Sequence, residues 1–112
     1  LPIVFFEDMG VYQILFSIED KQILIEMYHR LLQPLIDYDQ KHHGELEKTL
    51  FYYLIYGESQ ITMAKNLYMH RNTINYRMNK IKELLNCQLD TFEEKVPYML
   101  SYYIKKVLEE KK

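Results

Sequence analysis

Apolar side chains recur every three or four positions along most of this sequence, the spacing of one face of an α-helix. Near the C-terminus seven of them form one such stripe: Phe92, Val96, Met99, Leu100, Tyr103, Ile104 and Val107. The chain has only three Gly and three Pro, and no series of short alternating segments is joined by Asn-Gly or Asp-Gly turns. We therefore predict an all-α fold, a helical bundle.

Breaks in the pattern separate the predicted helices. The helices before residue 58 are predicted over 7–16, 20–32, 34–43 and 45–57. Asp20 suits an N-cap and Pro34 a first helical turn, whereas Gly44 and Gly57 suit C-terminal ends. The spacing of Thr91 and Glu94 is that of a capping box, so we predict a last helix over 91–110, which Pro97 can kink.

The net charge of −2 is unevenly distributed. Residues 1–60 carry four basic and ten acidic side chains, and residues 83–112 carry five and six. Residues 61–82 contain no acidic side chain and five basic ones: Lys65, Arg71, Arg77, Lys80 and Lys82. A basic patch on an acidic body is the electrostatic pattern of nucleic-acid binding, although a solvated helix face would have the same composition.

Within residues 59–86 the apolar positions divide into two sets. Met63, Ala64 and Leu67 fit a helix of about two turns, and Ile74, Met78, Ile81 and Leu85 fit a longer one. Residues 68–70 connect them, and this length pattern is that of a helix-turn-helix. A small Ala64 allows two crossing helices to approach, and Met69 can fill the angle between them. We predict this motif at 59–86, supported by helices within 1–56.

The second motif helix would turn polar side chains outward if its apolar residues face the core. Arg can form two hydrogen bonds with guanine and Asn two with adenine, so Arg71, Asn72 and Asn75 are candidate base contacts. Lys65, Lys80 and Lys82 are candidate phosphate contacts. The full predicted DNA-binding set is Thr62, Lys65, His70, Arg71, Asn72, Thr73, Asn75, Tyr76, Asn79 and Lys80.

Two of the residues near this helix, His70 and Arg77, have a structural alternative. For His70 we favour a role as N-cap or packing residue over contact with a base. Tyr76 and Arg77 can contact DNA, but Arg77 can equally hold a neighbouring helix in place.

Residues 64–84, AKNLYMHRNTINYRMNKIKEL, resemble the C-terminal helix-turn-helix of the PucR and CdaR regulators. The His-Arg-Asn-Thr string followed by Tyr-Arg is the most distinctive feature of that family, and the likeness extends through residues 7–12, 35–39 and 89–90. The resemblance implies a Fis-like motif in a regulator of purine catabolism or sugar diacids. It also implies an effector-sensing domain upstream of this module. We expect the chain, which begins at Leu1, to be a fragment that lacks that domain.

Two positions depart from the family pattern. Ile61 stands where the family often has a capping Ser, so Ser59 or Thr62 must cap the first motif helix. Tyr68 lies in the turn, where many such motifs have Gly because the backbone requires a positive φ, and we expect a slightly remodelled turn.

Other functions have little support in the sequence. We find no Gly-rich phosphate loop, nucleophile elbow or acid pair, so we predict a non-enzyme without cofactors. Cys87 is the only cysteine, no apolar run is long enough to span a membrane, and the adjacent His42 and His43 lack metal-ligand spacing. We expect a cytoplasmic homodimer on a duplex operator. The competing hypothesis is an interaction or dimerisation module whose acidic N-terminal helices dock on the effector domain.

Overall fold

The chain folds into helices alone over the residues that the computed structural model describes, 6–57 and 59–110 for the backbone, 10–57 and 59–109 for side chains. There are six in these ranges: α1 Phe6–Ser17, α2 Lys21–His42, α3 Leu46–Tyr56, α4 Gln60–Leu67, α5 Arg71–Leu85 and α6 Phe92–Glu110. The all-α prediction is confirmed. The outer parts of the predicted domain, residues 1–5 and 111–112, lie outside the described residues, as do the side chains of 7–9 in the first predicted helix.

The break predicted at Pro34 is wrong, because α2 continues through this residue for 22 residues in all. Proline leaves the carbonyl of Arg30 without its usual helical donor, which ordinarily costs about 3 kcal/mol. Leu32 and Leu35, on either side, are both fully buried, and Arg30 lies on the exposed side of the helix. Continuity of the helix keeps both leucines in the core, and this burial outweighs the lost hydrogen bond.

Asp39 joins the end of α2 to the start of α3. Its Oδ1 accepts a hydrogen bond from the backbone N–H of Leu46 at 2.8 Å, and its Oδ2 accepts one from Glu47 at 3.0 Å. These amides are two of the donors that a helix N-terminus leaves free, and Glu45 itself forms no side-chain cap. The left-handed residue that ends α2 is His43, not the predicted Gly44.

Gly44 is required by space and not by its φ angle. A Cβ atom at this position would lie 2.9 Å from Oδ1 of Asp39. The oxygen cannot move away without weakening its hydrogen bond to the N–H of Leu46. The position of the Asp39 carboxylate therefore requires a residue without a side chain at position 44.

The ends of the later helices follow the sequence signals. Gly57 ends α3 with a φ of 68°. Ahead of α6 the Thr91 hydroxyl accepts from the N–H of Glu94 at 3.1 Å, and the Glu94 carboxylate accepts from the N–H of Thr91 at 3.0 Å. The predicted capping box is therefore present, and backbone hydrogen bonds from Thr91 and Asp90 lower the pKa of Glu94. Pro97 lies within α6 and does not end it.

Two groups of buried residues hold the helices together. The main core joins α2, α3, α4 and α5 with Tyr98 of α6, and the second core joins α1 to α2 and α6. The second core consists of Leu15, Leu24, Ile104 and Val107, with partly buried neighbours around them. Because α2 and α6 contribute to both cores, they connect the N-terminal helix to the part of the chain that carries the predicted motif.

The loop after α5 is anchored in the main core. Leu89 is fully buried in a left-handed conformation, with φ 56°. Its carbonyl accepts a hydrogen bond from the Tyr53 hydroxyl at 3.1 Å. This contact ties the path between α5 and α6 to α3.

We predict opposite effects on stability for alanine at two glycines. Gly10 lies inside α1 with open space around its missing Cβ, so Gly10→Ala should raise the free energy of unfolding by about 0.5–1 kcal/mol. Gly44→Ala should lower it by about 1 kcal/mol, the usual worth of an N-cap, because the new methyl group displaces Asp39. Urea unfolding of both variants measures this. A neutral Gly44→Ala would contradict the account of the α2–α3 connection.

Candidate nucleic-acid interface

The helix pair α4 and α5 has the predicted helix-turn-helix arrangement. Ser59 is the N-cap of α4: its Oγ accepts from the N–H of Thr62 at 3.2 Å and donates to the Thr62 hydroxyl at 2.7 Å. The open choice between Ser59 and Thr62 is thereby resolved for Ser59. Thr62 is half-buried, and its hydroxyl already has an intramolecular partner.

The turn between the helices keeps its usual form with an unusual residue. Tyr68 adopts the left-handed conformation, with φ 56°, in which Gly is common, and the amides of Tyr68 and Met69 bond to the carbonyl of Ala64. The expected remodelling is therefore wrong. Met69 and Ala64 are partly buried against the main core, whereas Tyr68 is 95% exposed. The cost of the backbone conformation, about 1–2 kcal/mol, is not offset by packing of the tyrosine ring.

His70 begins α5 as its N-cap. Its Nδ1 accepts a hydrogen bond from the N–H of Asn72 at 3.0 Å, and its carbonyl accepts from the amides of Thr73 and Ile74. This is the capping role favoured from the sequence. The bond uses the lone pair of Nδ1, so the ring can present only Nε2 to another molecule.

The two faces of α5 differ sharply. Ile74, Met78 and Ile81 are essentially inaccessible to solvent. The remaining predicted contact residues of this helix are exposed, namely Arg71, Asn72, Thr73, Tyr76 and Asn79, or half-buried, namely Asn75 and Lys80. On the neighbouring helix Lys65 is exposed as well. Within the described part of the chain, the side chains of Arg71, Asn72 and Asn79 enter no internal hydrogen bond or ion pair, so their donors face solvent.

Arg77 has a structural role. Its guanidinium lies 3.4 Å from Oε1 of Glu45 and 3.3 Å from the hydroxyl of the buried Thr49. Both partners belong to the beginning of α3, so Arg77 ties the middle of α5 to that helix. The alternative in which Arg77 holds a neighbouring helix is the one observed.

Lys80 and Tyr76 meet a residue that the sequence did not suggest. The Lys80 ammonium lies 5.5 Å from the centre of the Tyr38 ring and 3.8 Å from a carboxylate oxygen of Glu83. An interaction with the side chain of Tyr76 raises the pKa of Tyr38. Tyr38 is 38 positions before Tyr76, on α2, and no local pattern in the sequence signals such a contact.

A concave region lies between α3 and α6. This cleft of about 460 Å³ includes Glu47, Lys48, Phe51, Tyr102 and Lys105 in its lining. Three of its polar residues are paired: Lys105 lies 3.0 Å from Glu47, and the Tyr102 hydroxyl donates to the carbonyl of Glu47 at 2.6 Å. Burial raises the pKa of Tyr102. The cleft holds no arrangement of nucleophile and base.

Across residues 6–57 and 59–110, no group of three or more His, Cys, Asp or Glu side chains is placed to hold a metal ion. In the same ranges no helix is both long enough and apolar enough to cross a membrane.

Comparison with known proteins agrees with this geometry. The family profile described as the PucR C-terminal helix-turn-helix domain matches residues 46–104, more than half of the chain. The chain belongs to this family. The match covers α3, α4 and α5 and most of α6, so the PucR-type domain includes two of the helices that bury the inner face of α5, namely α3 and α4. The role of this domain is therefore that of a DNA-binding helix-turn-helix domain in a transcription regulator.

Three curated relatives share the PucR-type domain. The proline-responsive transcriptional activator PutR of Bacillus subtilis is 33% identical over 98 residues, 88% of this chain and 24% of PutR. The DNA-binding transcriptional activator AdeR of the same organism is 29% identical over 80% of this chain and 21% of its own length. The carbohydrate diacid regulator of Escherichia coli is 33% identical over 54 residues, 48% of this chain and 14% of that protein. The chain thus spans a quarter or less of each relative, and no solved structure gives a significant match.

The exposed Tyr68 yields a prediction about stability. Replacing it with Gly removes the steric cost of the left-handed conformation. Part of this gain is offset because Gly has more conformational freedom to lose when the chain folds. Tyr68→Gly should therefore raise the free energy of unfolding by about 0.5–1 kcal/mol in urea titration. Ile61→Gly is the matched control, because Ile61 is also largely exposed, at 68%, but lies inside α4. It should lower stability, and a loss of similar size for Tyr68→Gly would contradict the prediction.

Proposed function

We propose that this chain binds a duplex operator in a sequence-specific way, with the N-terminal half of α5 in the major groove. The observation that carries the proposal is the exposed face of α5, which has no acidic side chain from Arg71 to Lys82, opposite a fully buried one. A recognition helix must satisfy both conditions: one side fixed in the protein, the other offering donors and acceptors to base edges.

The exposed residues divide by chemistry into two groups. Arg71, Asn72 and Asn75 are proposed to contact base edges, because guanidinium and amide groups form paired hydrogen bonds with guanine and adenine. Lys65 and Lys80 are proposed to contact phosphates. The remaining members of the set are proposed to make flanking contacts: Thr62, His70, Thr73, Tyr76 and Asn79. For His70 that contact would use Nε2, since Nδ1 caps the helix.

The upstream effector-sensing domain and the identity of its effector are also proposals. A regulator of purine catabolism or sugar diacids, with an effector-sensing domain before this one, would be consistent with the likeness to the carbohydrate diacid regulator. The likeness to PutR covers more of the chain, so proline belongs among the effectors to be tested. Such a regulator would act in the cytoplasm.

The second candidate function, a dimerisation or docking module, is favoured by one observation. Ile14 of α1 and Ile23 of α2 are more than half exposed, although both are large and apolar. The two functions are compatible, because one helix-turn-helix offers few base contacts and such regulators usually span two half-sites.

Salt dependence tests whether DNA is the partner. Because phosphate contacts release bound counterions, affinity for any duplex should fall steeply as salt rises, with a slope that counts the contacts. Binding is measured by fluorescence anisotropy between about 50 and 200 mM salt. An affinity independent of salt, or no binding of a family operator by the full-length regulator, would leave the docking function as the better explanation.

Single substitutions should separate base contacts from phosphate contacts. Asn72→Ala should cost about 1–3 kcal/mol at one operator base pair and change non-specific binding less. Lys80→Ala should weaken all duplexes alike and lower the salt slope by about one.

Lys48→Ala is the control for these substitutions, since Lys48 is an exposed lysine that lines the cleft between α3 and α6. It should leave both binding and slope unchanged. If folded Asn72→Ala keeps full operator preference, α5 is not the recognition helix.

A dimer on DNA should prefer paired sites. An inverted repeat with half-sites about one helical turn apart should bind the full-length regulator far more tightly than a single half-site does. Equal affinity for both sites, measured at concentrations where analytical ultracentrifugation gives the oligomeric state, would argue for a monomeric reader.

A further inference from the structure

Tyr38 contacts two of the side chains at the edge of the exposed face of α5, although it belongs to a helix outside the motif. Its ring lies 5.5 Å from the Lys80 ammonium, within the range of a cation–π interaction. An interaction with the side chain of Tyr76 raises the pKa of Tyr38. Neither Lys80 nor Tyr76 contributes to the buried core, so these contacts are not needed to close the main core.

The Tyr38 ring is itself held in place. It packs partly buried against the main core, and the His42 ring lies 4.4 Å away, one turn later on α2. The next residue, Asp39, is fixed by the amides of Leu46 and Glu47. The end of α2 is therefore a rigid platform beside α5.

Lys80 also has an acidic neighbour. Its ammonium lies 3.8 Å from Glu83, which is exposed, and a surface ion pair of this kind contributes little. The Glu83 and Tyr38 contacts occur in the same conformation of Lys80, and a phosphate would replace the exposed carboxylate of Glu83. The Tyr38 ring attracts the ammonium without cancelling its charge, so Lys80 remains available to a phosphate.

We propose that Tyr38 is a positioning residue for DNA binding: it holds Lys80 in the orientation in which its ammonium meets the phosphate backbone beside the recognition helix. This inference rests on the proposed function. A long side chain that is already ordered loses less conformational entropy when it binds, and that saving appears as affinity. The end of α2 thereby belongs to the DNA-binding surface without touching DNA itself.

The first measurement is made on the protein without DNA. The Hε protons of Lys80 should show an upfield ring-current shift in NMR spectra, and Tyr38→Leu should remove it while Tyr38→Phe keeps it. The matched control is Tyr28→Phe, because Tyr28 is a partly buried tyrosine of the same helix whose charged neighbours, Glu47, Lys105 and Glu109, lie on α3 and α6. It should leave the Lys80 shift unchanged. No ring-current shift in the wild-type protein would overturn the proposal.

The second measurement uses a duplex operator and the full-length regulator. Tyr38→Leu should weaken binding by roughly three- to tenfold, Tyr38→Phe by less, and Tyr28→Phe not at all. Lys80→Met should cost less affinity in the Tyr38→Leu background than in the wild type, because the two residues act through one contact. If Tyr38 only packs the core, Tyr38→Leu would lower the melting temperature, and the effects of Tyr38→Leu and Lys80→Met on binding would be additive. That result would overturn the proposal.

The two hypotheses fail in different ways. Wild-type protein that shows the Lys80 shift but binds no duplex would contradict the proposed function and, with it, any positioning role in DNA binding. Protein that binds its operator with the expected salt slope, yet shows additive substitutions, would contradict the role of Tyr38 alone.

Discussion

Burial of one face of α5 is the constraint on which the rest of this structure depends. Ile74, Met78 and Ile81 have essentially no solvent access, and each lies in the same core as residues of α2, α3 and α4. Three helices thus fix the axis and the rotation of α5, since a slip by one residue would bring polar side chains into a close-packed interior. The side chains of α5 that do not fit in the core form its exposed face. One face of the helix therefore stabilises the fold, and the other is available for recognition.

The helices outside the motif determine how α5 is presented. Arg77 connects α5 to the start of α3, Tyr38 connects it to the end of α2, and the Tyr53 hydroxyl holds the loop that leaves it. These contacts come from residues that a definition of the motif as two helices would omit. The family match, which begins at residue 46, likewise extends beyond α4 and α5 on both sides.

Local signals in the sequence predicted much of this fold, and their failures have physical causes. Capping by Thr91 and Glu94, the end of α3 at Gly57 and the two apolar sets of the motif depend on neighbouring residues, so they were predictable. Pro34 was misjudged because the burial of Leu32 and Leu35, which keeps α2 continuous, comes from helices distant in sequence. The same holds for Tyr38, whose contact with α5 arises from packing. The exposed side chains of α5 were predictable from the helical periodicity. The contact of Lys80 with Tyr38 and the partners of Arg77 were not, because they involve segments distant in sequence.

The carboxylate of Asp39 makes the junction of α2 and α3 a unit of fixed length. Because one side chain of α2 bonds to the first two amides of α3, the number of residues between them is set by the reach of that side chain. Insertion of one residue after His43 would rotate the first turn of α3 by about 100° and carry Thr49, and with it the anchor of Arg77, away from α5. The connection from α1 to α2 carries no such restraint on the motif. Natural variation in chain length should therefore accumulate near residues 18–20 and be rare at residues 43–45.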